Sequence, residues 1–164
     1  MQIQTNSAGE LEIKTKKATI TFNHETKVNE VDLEGAGEYE IGSVSIEGVD
    51  DDIYIFQAEE IIFGSVDFKG KISKENLEKL SNTEILIVRL DGNVTEAVDQ
   101  ANQIEPNITI FAGSADVKSK LTTNGTVFEN KEILKVSKSD IADQKAYFIE
   151  VKNGKEAPQD QGTV

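Results

Sequence analysis

The chain has 164 residues, a formal charge of −13, a single histidine and no cysteine, and that length suits one domain burying about two-thirds of its unfolded surface. Without thiols there can be no disulfide, thiolate nucleophile or iron–sulfur cluster, and His24 alone leaves almost no material for a closed zinc site or a Ser/His/Asp triad. The negative charge disfavours nucleic acid and anionic membranes; no apolar run nears the ~20 residues needed to cross a bilayer, and Met1-Gln2-Ile3-Gln4-Thr5 lacks a signal peptide's basic and apolar regions, so the expectation is a cytoplasmic protein with neither partner.

The first ~65 residues read as short antiparallel strands, with apolar residues at period two between turns. Leu11/Ile13 and Ile20/Phe22 form a hairpin around Lys14-Thr15-Lys16-Lys17. Val31/Leu33 follows, then a glycine turn at Gly35-Ala36-Gly37, then Tyr39/Ile41 and Val44/Ile46 around Gly42. Ile53–Phe56 and Ile61–Phe63 pair across the turn Ala58-Glu59-Glu60. Between Val28 and Phe68 lie twelve acidic residues and no Lys or Arg, read as solvated strand faces that blunt sheet edges. Asp50-Asp51-Asp52 lacks the spacing of a calcium loop and reads as a solvated turn. Gly35-Ala36-Gly37 is no dinucleotide fingerprint, because no helix follows it.

After Gly64 the period shifts to about 3.6, and strands alternate with helices. Ser73 is the expected cap of a helix over Lys74–Leu80. Ile85–Val88 reads as a buried strand. Thr95 is the expected cap of a helix through Gln103 that Glu105-Pro106 ends. Ile108–Phe111 is a strand and Ser114–Thr122 a helix, followed by strands at Thr126–Phe128, Ile133–Val136 and Ala146–Val151. The pattern predicts one α/β domain over residues 1–152, with two packed β-sheets flanked by helices, and a disordered tail over 153–164.

Several segments resemble, in order and spacing, metallo-β-lactamase-fold hydrolases of the UlaG-like type. Glu34-Gly-Ala-Gly-Glu-Tyr-Glu-Ile-Gly-Ser-Val-Ser-Ile-Glu-Gly48 is similar to that family's "PGEYEI-G-V-I-G" stretch. Ile72–Leu80, Glu84–Val88 and Gln103-Ile-Glu-Pro-Asn-Ile-Thr-Ile110 look like its later helix, strand and strand entry, and Ile13–Phe22 like its first hairpin. The resemblance implies a truncated αββα sandwich. It also implies a metal site built on an H-x-H-x-D-H motif, a further His, an Asp and a final His.

Those ligands are what this chain lacks. The first motif belongs between Phe22 and Gly35, an interval that holds only His24 and looks shortened. Matching "H-L-G-D-L-G" to Gly64–Lys69 replaces the His by Gly64 and keeps Asp67; the final His falls at Gly113. The expectation is therefore a metal-free, non-catalytic binding or interaction module with no cofactor. Its alternatives are a residual metal-dependent hydrolase around Asp67, and a structural subunit of a homo-oligomer. A remnant pocket is assigned to Asp67, Arg89, Asp91, Gly113 and Ser114, with Ser65 as a further lining candidate. Arg89, the only arginine, has two readings, one in which it pairs Asp67 in place of the lost metal charge and one in which it reaches solvent over a helix, and His24 is read as a bystander. The identity of a small-molecule ligand or protein partner is left open.

Overall fold

A computed structural model describes residues 1–23, 25–141 and 144–152. His24 and the tail expected to be disordered lie outside the described residues. In chain order the strands are β1 (Gln2–Thr5), β2 (Leu11–Lys14), β3 (Thr19–Phe22), β4 (Thr26–Val28), β5 (Val31–Asp32), β6 (Gly37–Ile41), β7 (Val44–Asp50), β8 (Ile53–Ala58) and β9 (Ile61–Asp67). There follow α1 (Lys74–Lys79), β10 (Ile85–Arg89), α2 (Val94–Ile104), β11 (Ile108–Gly113), α3 (Ala115–Thr123), β12 (Glu129–Asn130), β13 (Ile133–Lys135) and β14 (Lys145–Glu150).

The strands form two sheets. One, in the order β13-β1-β2-β3-β4-β5, is antiparallel throughout. The other runs β12-β14-β11-β10-β9-β8-β7-β6, with β6 to β9 an antiparallel meander and β9, β10, β11, β14 and β12 mutually parallel. The alternation read from the sequence sets the faces: Leu11, Ile13, Ile20 and Phe22 are buried while Glu12, Lys14, Thr19 and Thr21 turn outward. These inward residues meet Phe56, Phe63, Ile85, Ile87, Ile110 and Ile149 of the second sheet in a layer to which no helix contributes. A second apolar layer joins that sheet's other face, through Val66, Leu86, Val88, Phe111 and Phe148, to Leu80, Ala97, Ala101, Ile104, Val117 and Leu121 of the helical segments. The two-sheet, helix-flanked class is as expected. All three α-helices among the described residues lie on the eight-stranded sheet, and the outward face of the six-stranded one is polar.

Local chemistry explains where elements start. Ser73 and Ser114 cap α1 and α3, accepting from the N–H groups of Asn76 (3.2 Å) and Val117 (3.4 Å). Thr95 does not cap α2: the helix begins one residue earlier, burying Val94, and the Thr95 hydroxyl donates instead to Asn124 at 2.9 Å. Two strands the sequence pattern passes over, β1 and β4, are each too short to display a clear period. The strand expected at Thr126–Phe128 is displaced to Glu129–Asn130, since Phe128 packs toward Phe148 at 5.8 Å between ring centroids. The turn at Glu59-Glu60 has φ of 54° and 67°, the left-handed pair whose twist suits a two-residue hairpin between β8 and β9. No helix among the described residues is long and apolar enough to cross a membrane.

Glu84 ties β9 and β11 together. Its backbone N–H donates to Ile62 (2.8 Å) and its carbonyl accepts from Ile108 (3.0 Å), while its carboxylate accepts from the Ile62 N–H (2.9 Å) and Lys138 (2.6 Å). Burial acts to raise the Glu84 pKa, but the Lys138 ammonium and the Ile62 N–H outweigh it and hold the carboxyl below its ordinary value. A depressed folded pKa contributes stability that is present above the unfolded value of about 4.3 and lost as pH falls through the folded one. Because Lys138 is half exposed, the expected cost of Glu84→Gln is only about 1 kcal/mol at pH 7. Urea unfolding should show that gap closing below about pH 4; a gap unchanged at pH 3 would trace the effect to shape rather than charge.

Candidate functional site

The parallel strands β9, β10, β11 and β14 all end on one side of the molecule, the side on which open α/β sheets hold ligands. There the ladder continues past the strand ends, Phe68 N–H bonding the Arg89 carbonyl, Leu90 N–H that of Ala112 and Val151 N–H that of Gly113. Opposite them stand Leu11 and Phe22 of the other sheet. A cavity of ≈ 590 Å³ opens between the two sheets, lined by Asp67, Lys69, Arg89, Asp91 and the start of α2 among others. Three of the sequence-assigned residues, Asp67, Arg89 and Asp91, are thus brought together.

Gly113 and Ser114 do not line it. A Cβ at Gly113 would lie 2.9 Å from the Leu90 carbonyl oxygen and 3.0 Å from Val117, so an imidazole there would require α3 to move. The Ser114 side chain is committed to the α3 cap. Ser65 is fully buried one layer below, in register between Tyr54 and Ile87, and its hydroxyl has no hydrogen-bond partner. At Gly64 a Cβ would meet Leu80 and Thr83 at 2.9 Å, on the helix side of the sheet. A side chain at 64 therefore points away from the cavity, because neighbours along a strand face opposite ways.

Arg89 and Asp67 are register partners on adjacent strands, yet no ion pair joins them. Lys69 takes Asp67 instead, its ammonium 3.7 Å from that carboxylate and 3.2 Å from Asp52. This rules out the pairing reading, and the reason is geometric: Lys69 follows Asp67 by two residues and reaches it from the strand end, whereas Arg89 extends across the gap between the sheets. Its guanidinium carbon lies 5.1 Å from the Phe22 ring centroid, and one Nη donates to the Asn23 carbonyl at 3.3 Å. Asn23 is itself held by Glu10, accepting at 2.7 Å. The Arg89 Nε is buried and has no hydrogen-bond partner. Burial pushes the guanidinium below the ordinary arginine value, and the Asp67 and Asp52 carboxylates only partly restore it.

Two carboxylates of the acidic triplet are likewise occupied by the protein's own donors. Asp50 accepts from the Asp52 N–H (2.8 Å) and Asn76 (3.2 Å), and Asp52 pairs Lys69. Among the described residues no group of three or more His, Cys, Asp or Glu is placed to hold a metal ion. At the cavity a lysine ammonium and an arginine guanidinium stand beside the carboxylates, so this donor set does not fit a resident divalent cation.

A solved structure from Thermotoga maritima, assigned to the Zn-dependent hydrolases of the metallo-β-lactamase superfamily, superimposes on this chain. The TM-score is 0.71 at 17% identity, covering 92% of this chain and 100% of that one. The fold is therefore metallo-β-lactamase-like. The sequence matches no protein-family model and none of the curated proteins.

Arg89 also decides a stability question. The Arg89 side chain is half-buried, and its Nε, sealed from solvent without a partner, costs about 1–3 kcal/mol, which one 3.3 Å hydrogen bond and a ring contact of about 1–2 kcal/mol only partly offset once the rest of the guanidinium's lost hydration is counted. Arg89→Met, which fills the same slot with an apolar chain, is expected to raise stability by about 1 kcal/mol in urea unfolding. A loss of that size would mean that the cation itself holds the sheets together.

Proposed function

We propose that this chain is a shortened relative of the UlaG-like metallo-β-lactamase hydrolases that binds a small molecule in the cavity between its sheets and catalyses no hydrolysis. The observation that carries the reading is Arg89, a half-buried cation at the mouth of that cavity with its Nε sealed from solvent and no ion pair among the described residues. A side chain retained there against its desolvation cost suits a site under functional demand better than a packing role. The neighbouring protein is assigned as a zinc-dependent hydrolase. In this chain the residues facing the cavity include Lys69 and Arg89 with Asp67 and Asp91, a set suited to recognising polar groups rather than activating water on a metal. Fold alone does not supply the activity.

Calorimetric titration with Zn²⁺ and Mn²⁺, alongside hydrolysis assays on ester, lactam and phosphodiester substrates, tests this. The expected result is no saturable metal site tighter than about 10 μM and no metal-stimulated turnover. A stoichiometric metal site with turnover abolished by Asp67→Ala would sink the reading.

A further inference from the structure

Away from the cavity, β6 leaves a long sheet edge open. We propose that this edge takes up an extended segment of a partner chain in which Lys or Arg alternates with apolar residues, adding it to the sheet as a further strand.

Four strands end the two sheets, β13 and β5 in one, β12 and β6 in the other. Three of them are short, with two residues in β5, two in β12 and three in β13, and shortness is one way in which sheets avoid pairing with other chains. β6 has five residues, Gly37–Ile41. It pairs β7 on one side, and among the described residues no other hydrogen bond reaches its backbone. Its outer N–H and C=O groups are the template on which strand addition works.

Charge independently selects what can pair there. Glu38 stands directly opposite Glu47, a like-charge pair that works against the β6–β7 contact. Glu40 shares their face. No ion pair among the described residues engages any of the three, and between Val28 and Phe68 the chain has no Lys or Arg. A groove of ≈ 580 Å³ on this face is lined by these glutamates with Ile55 and Ile62; Lys79 also lines it, so one ammonium meets three carboxylates.

The opposite face of β6 differs, since Tyr39 and Ile41 are half-buried against the inter-sheet core. A strand laid beside β6 sets alternate side chains next to Glu38 and Glu40 on one face and next to Tyr39 and Ile41 on the other. Cations suit the first face and apolar groups the second. A second copy of β6 would bring glutamate against glutamate, so this edge rejects its own kind and admits a basic strand.

The probe is the peptide acetyl-Lys-Val-Lys-Val-Lys-Val-Lys-amide, titrated against the ¹⁵N-labelled full chain. Its controls have the lysines grouped before the valines, or glutamate in place of lysine. The alternating peptide is expected to shift the Glu38, Tyr39 and Glu40 amides saturably and to slow hydrogen exchange within β6. Both controls are expected to bind at least about tenfold more weakly. The double variant Glu38→Lys with Glu40→Lys, its dispersed spectrum showing a folded chain, should weaken the alternating peptide about tenfold or more. Asp99→Lys with Glu132→Lys makes the same change of charge at exposed positions elsewhere, and should weaken it no more than about threefold.

Grouped lysines binding as tightly as alternating ones, or equal losses in the two double variants, would reduce the effect to bulk charge and overturn the proposal. So would shifts confined to amides outside β6, or a spectrum that no peptide perturbs. β6 amides that shift with protein concentration alone would place a second copy on the edge and overturn it too. None of these variants lines the cavity between the sheets, so failure here leaves the small-molecule reading to its own test.

Discussion

The contact on which the site depends is the one between Arg89 and Phe22 across the gap between the sheets. Phe63 and Phe56 stack at 5.0 Å, Phe22 meets Phe56 edge-on at 6.2 Å, and the Arg89 guanidinium lies over Phe22 at 5.1 Å. This column begins in the eight-stranded sheet, crosses to the other and ends in a charge. Its aromatic part is fully or almost fully buried and belongs to the inter-sheet core, where truncating one ring would cost about 3–5 kcal/mol. The last member is different in kind: it is held by a weak hydrogen bond and a ring face at the point where the core opens to the cavity. The apolar layer thus determines where the cation stands.

Much of this architecture was legible from residue patterns, and the failures have physical causes. The run Ile85-Leu-Ile-Val88 reads as a strand because both faces of β10 are covered, one by the opposite sheet and one by helices. Ser73 and Ser114 announce their helices because capping is a local interaction between neighbours. β1, by contrast, presents Gln2, Gln4 and Thr5 with only Ile3 buried, and its pairing with β13 joins residues more than a hundred positions apart. No local pattern contains that information. The same limit governs the site: strand position places Asp67 beside Arg89, but whether Arg89 turns to Asp67 or crosses to Phe22 depends on Lys69 and on the opposite sheet.

Gly64 and Asp67 show how the pleat of a strand decides which residues reach the cavity. Both fall in β9, three residues apart, and so on opposite faces, one toward the helices and one toward the cavity. Aligned letters carry a ligand position onto a strand, and only the pleat says which way it points. The same holds for Gly113, whose close packing against Leu90 and Val117 leaves no room for a larger residue. The cavity stands at the ends of the parallel strands, and the residues facing it include cations and carboxylates in partnership.

The central proposal is that side-chain cations, Arg89 and Lys69, and no metal ion supply the positive charge of this cavity. Crystals grown with millimolar Zn²⁺ or Mn²⁺ and measured at the corresponding absorption edge test it most directly. The account expects the Arg89 guanidinium over Phe22, Lys69 beside Asp67, and no anomalous peak in the cavity. A strong anomalous peak coordinated by Asp67, with Arg89 swung away from Phe22, would contradict it.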